Sequence, residues 1–118
     1  MINRLYQTAF WLATLFALIM AALPKPPRLP GDPSDKVQHI IAFTVLAILA
    51  VLAFRRTPLL AIAAGLSLFG AAIELIQLIP QLHRDGSWLD WLADTAAVGI
   101  VLGIAWICRR LAANRPAG

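Results

Sequence analysis

Four stretches of this chain are almost free of charge, and each is long enough to cross a bilayer. Residues 5–24 and 37–54 contain no Asp, Glu, Lys or Arg, residues 57–81 contain only Glu74, and residues 91–108 contain only Asp94. A spanning helix needs about 20 mostly apolar residues, with a range of about 17–25. The second and fourth stretches, at the short end, still cross with little tilt or with local thinning of the bilayer. A chain of 118 residues then has room for little besides short connections. The expected architecture is all-α: a four-helix transmembrane bundle forming one membrane domain over residues 1–118, with helices near 5–24, 37–54, 58–79 and 89–110. Composition agrees, with 60 % apolar and 14 % charged residues, against about 45–50 % and about 25 % in soluble domains.

Proline places the breaks. The run from Pro24 to Pro33 cannot be helical, because proline lacks the amide donor and clashes with the preceding turn; it reads as a stiff extended loop. Arg55-Arg56-Thr57-Pro58 is a basic turn with proline opening the next helix, and residues 80–89 form the third loop. The first apolar stretch exceeds the about 7–15 residues of a signal-peptide core and ends in Leu23-Pro24-Lys25, a poor cleavage site, so it is expected as an uncleaved helix. A net charge of +4 does not make a nucleic-acid surface, since the ten Lys and Arg are scattered between apolar runs instead of gathered on a face. The single cysteine, Cys108, excludes a disulfide framework and is expected as an inert buried thiol.

Loop charges predict the orientation. One side collects Arg4, Arg55, Arg56, Arg109, Arg110 and Arg115 with no acid; the other collects Lys25, Arg28, Lys36 and Arg84 mixed with Asp32, Asp35, Asp85 and Asp90. The positive-inside rule then puts both termini in the cytoplasm.

That orientation brings nearly every unusual polar residue to one depth, in the outer leaflet. Asp35, Lys36 and His39 open the second helix, and Asp35, His39 and Phe43 share a face at i, i+4, i+8. Glu74 lies six residues before Pro80, with Gln77 on the same face. Asp90 and Asp94 stand one turn apart at the start of the fourth helix, after His83-Arg84-Asp85. Several of these have structural roles available: Asp35 and Asp90 complement helix N-termini, Ser87 to Asp90 reads as a capping box, and Trp88, Trp91, Tyr6 and Trp11 fit interfacial belts. Glu74 and Asp94 need partners, because an intramembrane acid costs about 2.5–3.5 kcal/mol at a helix centre, and Lys36, His39 and Arg84 are at hand. The candidate binding residues are thus Asp35, Lys36, His39, Glu74, Gln77, Arg84, Asp90 and Asp94. Thr95, Gly99 and Gly103 form a small-residue stripe containing a GxxxG pattern, available to the bundle or to a second protomer. Gly65 and Gly70 are expected to let the third helix approach a neighbour.

Three segments in order resemble the VanZ-like membrane proteins. Asp35-Lys36-Val37-Gln38-His39-Ile40-Ile41-Ala42-Phe43 is similar to that family's D-K-x-x-H-x-x-x-F opening, and Glu74-Leu75-Ile76-Gln77 to its E-x-x-Q. Arg84, Asp90 and Asp94 resemble its R…D…(N/D) segment before the last helix. The likeness covers residues 35–103. Asp94 stands where asparagine is common, and Ala97 and His83 where glycine is frequent. The resemblance implies a bacterial cytoplasmic-membrane protein of the cell envelope; the family's namesake is associated with low-level resistance to the glycopeptide teicoplanin.

Two functions compete. In the first, the outer polar site binds a lipid-linked cell-wall intermediate or glycolipid headgroup, with Lys36 and Arg84 meeting phosphate. In the second, the chain is a small membrane enzyme on such a substrate, with His39 and Glu74 as base and acid and with Asp90 and Asp94 orienting them or holding a divalent cation. Carboxylates favour magnesium or manganese. No nucleophile elbow, phosphate-cradling loop or HExxH motif specifies a reaction, and a proton path lacks acids in the cytoplasmic half.

Overall fold

The computed structural model describes residues 2–24, 35–82 and 88–115, the side chains of Asp35, Lys36 and Leu82 excepted. Among these residues all regular structure is helical: α1 (Ile2–Ala22), α2 (Asp35–Ala53), α3 (Leu59–Gln77), a single 3-10 turn at Pro80–Leu82, and α4 (Trp88–Ala113). The all-α, four-helix expectation holds. α1, α3 and α4 are each long and apolar enough to cross a membrane, whereas the apolar part of α2 is the shorter Val37–Ala53.

The helix ends follow from local chemistry. α3 opens behind Pro58, whose φ of −58° already suits a helix and whose carbonyl accepts the amides of Ala61 and Ile62 at 3.0 and 3.2 Å. It stops at Gln77 rather than at 79. Pro80 can donate no amide and disfavours helical backbone at Ile79, so Leu78 and Ile79 close with tighter bonds to Leu75 and Ile76. α1 starts earlier than expected and α4 continues to Ala113, because neither extension contains proline or glycine to stop it.

Contacts between helix ends fix an antiparallel arrangement. Gln7, near the start of α1, donates from Nε2 to the carbonyl of Ala53 at the end of α2, at 3.3 Å. Phe10 meets Phe54 edge-on, with ring centroids 5.3 Å apart. At the other end Gln77 of α3 reaches the carbonyl of Ala21 in α1, and His39 of α2 reaches Asp94 of α4. Residues 2 and 115 therefore lie at one end of the bundle, together with Arg4, Arg55, Arg56, Arg109 and Arg110. This is the grouping of basic residues that the loop charges implied.

α2 occupies the centre, packing chiefly on α4 and α1, and α3 packs mainly on α4. Its inward line is Phe43, Leu46, Ala47, Ala50 and Ala53, all buried. Three alanines in that line keep neighbouring backbones close, the usual device where lipid offers no hydrophobic drive for helices to associate. The outward faces are as apolar as the interior: Phe16, Ile41, Leu60, Leu68, Leu75, Ile100 and Leu111 are all exposed. Contiguous apolar surface on that scale marks a lipid or protein contact, and its presence on all four helices suits lipid.

Two expectations about small residues are corrected here. Gly65 has open space where a Cβ would stand, so it gives no helix approach. Cys108 is exposed, not buried; it shares the outward surface of α4 with Ile104, Ile107 and Leu111, because residues four apart fall on one face.

Candidate functional site

Three helices each carry one polar side chain to the same place. His39 is four residues into α2, Glu74 is three residues before the end of α3, and Asp94 is six residues into α4. At about 1.5 Å per residue, all three lie within roughly 9 Å of the same end of the bundle. The helix periodicity that aims them inward is visible in each element. On α2, His39 is followed by buried Phe43 and Ala47. On α3, the stripe runs Ser67, Gly70, Glu74, Gln77. On α4, it runs Asp90, Asp94, Val98, Leu102.

His39 Nδ1 stands 3.1 Å from Asp94 Oδ2 and 3.4 Å from Glu74 Oε1. With Nδ1 protonated, His39 donates to Asp94 Oδ2, and Glu74 Oε1 lies beside the same nitrogen at ion-pair distance without accepting its hydrogen bond. Asp94 is 1 % exposed and Glu74 is 7 % exposed, in a bundle whose surroundings are apolar. A carboxylate in such a place is costly unless its charge is matched and its lone pairs are satisfied. Asp94 is incompletely satisfied: its Oδ1 is buried and accepts no hydrogen bond among the described residues.

The floor of the cluster is aromatic. The ring of Phe43 lies 6.5 Å from that of His39, nearly parallel, and 5.9 Å from Phe69. Gly70 makes room for this arrangement, since a Cβ there would stand 3.4 Å from both Asp94 Oδ2 and Phe43 Cζ. Gly70 is thus the glycine of α3 that permits close approach, as the sequence led one to expect of it.

The remaining candidates fall into distinct groups. Gln77 is buried beside Glu74, but its Nε2 donates to the carbonyl of Ala21 at 3.4 Å, so it ties α3 to α1 instead of joining the cluster. Asp90 is buried in the first turn of α4, where a negative charge favours the helix N-terminus, and it contributes no atom to the compact His39–Glu74–Asp94 set. Asp35 and Lys36 occupy the first turn of α2, with side chains outside the described residues; Arg84, with His83, Asp85, Ser87 and the expected capping box, also lies outside them.

Sequence reasoning missed a second polar layer between α3 and α4. Ser67 Oγ and Thr95 Oγ1 are 3.3 Å apart, and Trp91 Nε1 donates to the Ser67 carbonyl at 3.1 Å. Trp91 is therefore half-buried and bonded across the interface, whereas Trp88 is exposed as a belt residue should be. The available signal was Ser67 lying seven residues before Glu74, on the same face, and Thr95 lying beside Asp94. The GxxxG glycines take no part in the bundle: Gly99 and Gly103 are exposed, and a Cβ at either would meet nothing within 4 Å.

What this arrangement offers chemically is one imidazole nitrogen and two carboxylate oxygens, all within 4.8 Å of one another. They form an acid–base pair, a cation-binding set, or an anchoring network for a polar headgroup. Comparison with family models, with curated proteins and with solved structures finds no match.

Proposed function

We propose that this chain is a VanZ-like multi-pass protein of the bacterial cytoplasmic membrane whose polar cluster binds a lipid-linked envelope component, with both termini in the cytoplasm and the cluster in the outer leaflet. The observation that carries the reading is the convergence of His39, Glu74 and Asp94 from three helices at one end of an otherwise apolar bundle. Ionisable groups at membrane depth are retained for function by default. The opposite end carries Arg4, Arg55, Arg56 and the Arg109-Arg110 pair, which suits the cytoplasmic side. Lys36 and Arg84 supply the phosphate contacts of this reading, and a role in glycopeptide resistance of the teicoplanin type is proposed only on the resemblance of the three motif segments. The exposed Gly99 and Gly103 support self-association through α4.

A second reading is favoured by the approach of His39 Nδ1 to Glu74 Oε1: a small membrane enzyme on a lipid-linked substrate, with this pair moving a proton. A folded Glu74→Gln protein that fails to turn over an accumulating lipid-linked intermediate supports it, and normal turnover in that variant excludes Glu74 as acid or base.

The test of the binding reading is native mass spectrometry of detergent-released protein, wild type beside Glu74→Gln, with thermal stability measured for both. A defined lipid retained by wild type and lost from an equally stable variant supports the reading. No specific lipid on wild type, with a variant that is merely less stable, makes the cluster structural glue.

A further inference from the structure

We propose that His39, Glu74 and Asp94 hold a divalent first-row transition-metal cation, of which Zn2+ is the best fit. The proposal rests on reading this cluster as a ligand site and says what the first ligand is.

The donor set is the first argument. Carboxylates alone suit magnesium, calcium or manganese, and an imidazole nitrogen shifts preference toward zinc and its neighbours. Three protein ligands with further positions left open is the pattern of zinc sites that bind an exogenous oxygen. Here that oxygen is water or the phosphate of an anionic headgroup.

Distance is the second argument. Zinc bonds of about 2.0–2.2 Å keep tetrahedral ligand atoms roughly 3.3–3.6 Å apart. His39 Nδ1 is 3.1 Å from Asp94 Oδ2 and 3.4 Å from Glu74 Oε1, and all three donor atoms fall within 4.8 Å. A cation needs only small side-chain rotations to sit between them. In the loaded site Nδ1 gives its lone pair to the metal and the ring proton sits on Nε2, so the hydrogen bond seen from Nδ1 to Asp94 and the metal bond are alternatives at one atom.

The third argument is independent of those contacts. Asp94, with 1 % of its surface exposed, keeps Oδ1 buried and without a hydrogen-bond donor among the described residues. Buried polar atoms left in that state are rare and point to an ion or water that completes them. A cation gives the Asp94 carboxylate the positive partner that the histidine supplies only to Oδ2. Gly70, where a Cβ would stand 3.4 Å from Asp94 Oδ2, adds no side chain of α3 beside that oxygen.

The experiment uses tag-free full-length protein in detergent, stripped with EDTA, incubated with ZnCl2 or MnCl2 or with MgCl2 as control, desalted and assayed for metal by mass spectrometry. Wild type is expected to retain about one Zn2+ or Mn2+ per chain, and His39→Ala and Asp94→Asn to lose at least tenfold of that occupancy. Ile48→Ala, on the exposed side of α2, is expected to retain it. Because a cluster variant can fail to fold, the wild type is also heated with and without Zn2+. Selective binding to the native state raises its Tm, on the order of 10 °C at a hundredfold excess over Kd. Co2+ in place of Zn2+ is expected to give the visible absorption of a four- or five-coordinate site. Wild type holding no more metal than His39→Ala, or a Tm unmoved by Zn2+ and Mn2+, overturns the proposal. Lipid retained without metal in the same samples overturns this inference alone, and metal retained without lipid overturns the lipid-binding reading alone.

Discussion

His39 and Asp94, 55 residues apart in the chain, meet through a 3.1 Å bond between Nδ1 and Oδ2 across the interface of α2 and α4. The bond joins the central helix to the helix on which it packs most extensively, and it does so where both side chains are shielded. Removing either partner leaves a desolvated polar group behind, which costs about 1–3 kcal/mol and more for a charge. A double-mutant cycle of His39→Ala and Asp94→Ala, read by reversible unfolding in mixed micelles, is expected to give a coupling of about 1–2 kcal/mol. That exceeds the roughly 0.6 kcal/mol average for interhelical hydrogen bonds in a membrane, because this pair is charge-assisted. A coupling near zero makes the contact incidental.

Gly70 and Gly99 are expected to respond oppositely to enlargement. Gly70→Leu drives side-chain atoms into Phe43 and Asp94, and overpacking of this kind costs about 1–3 kcal/mol. Gly99→Leu meets open space and leaves monomer stability within about 0.5 kcal/mol, while lowering the dimer fraction seen by crosslinking if α4 faces a second copy. Thermal unfolding and crosslinking of both variants check this.

Trp91 and Trp88 separate a structural from an interfacial indole. Trp91→Phe loses the donor to the Ser67 carbonyl and is expected to cost about 0.5–1.5 kcal/mol. Trp88→Phe, at an exposed position, leaves bundle stability unchanged. Comparing the unfolding midpoints of the two variants decides it.

Phe43→Ala removes the 1 % exposed ring beneath His39 and is expected to destabilise by about 3–5 kcal/mol. Ile48→Ala, on the exposed side of α2, changes stability by less than about 1 kcal/mol. The contrast tests which face of α2 is inside, through equilibrium unfolding of the pair.

Orientation is open to direct labelling. In a Cys108→Ser background, Arg115→Cys is expected to react with a membrane-impermeant maleimide only after permeabilisation, and Leu78→Cys, exposed at the opposite end, in intact spheroplasts. The reverse pattern inverts the proposed topology and moves the cluster to the cytoplasmic leaflet.

Much of this was readable in the chain itself. Charge-poor stretches set the number of helices, and Pro58 and Pro80 set the limits of α3 to within two residues. Alternating direction then put His39, Glu74 and Asp94 at one end, because short connections between spans leave no other arrangement. Less legible was the division of labour among them. Gln77 shares a face with Glu74 yet bonds to Ala21, and Cys108 and the GxxxG glycines turned out to lie on the outer surface.

The chain's own composition thus determined that there are spans, where they stop and which polar residues share a depth. What only the tertiary structure decided is how each helix is rotated about its axis: Gly70 inward and Gly65 outward, Trp91 bonded and Trp88 free of the interface, Asp94 inside the cluster and Asp90 beside it. The physical reason is that lipid tails and a protein interior are equally apolar. A helix hydrophobic all round has no polar face to mark its outside, and its rotation is set by the fit of small side chains and by the few polar groups that must find one another.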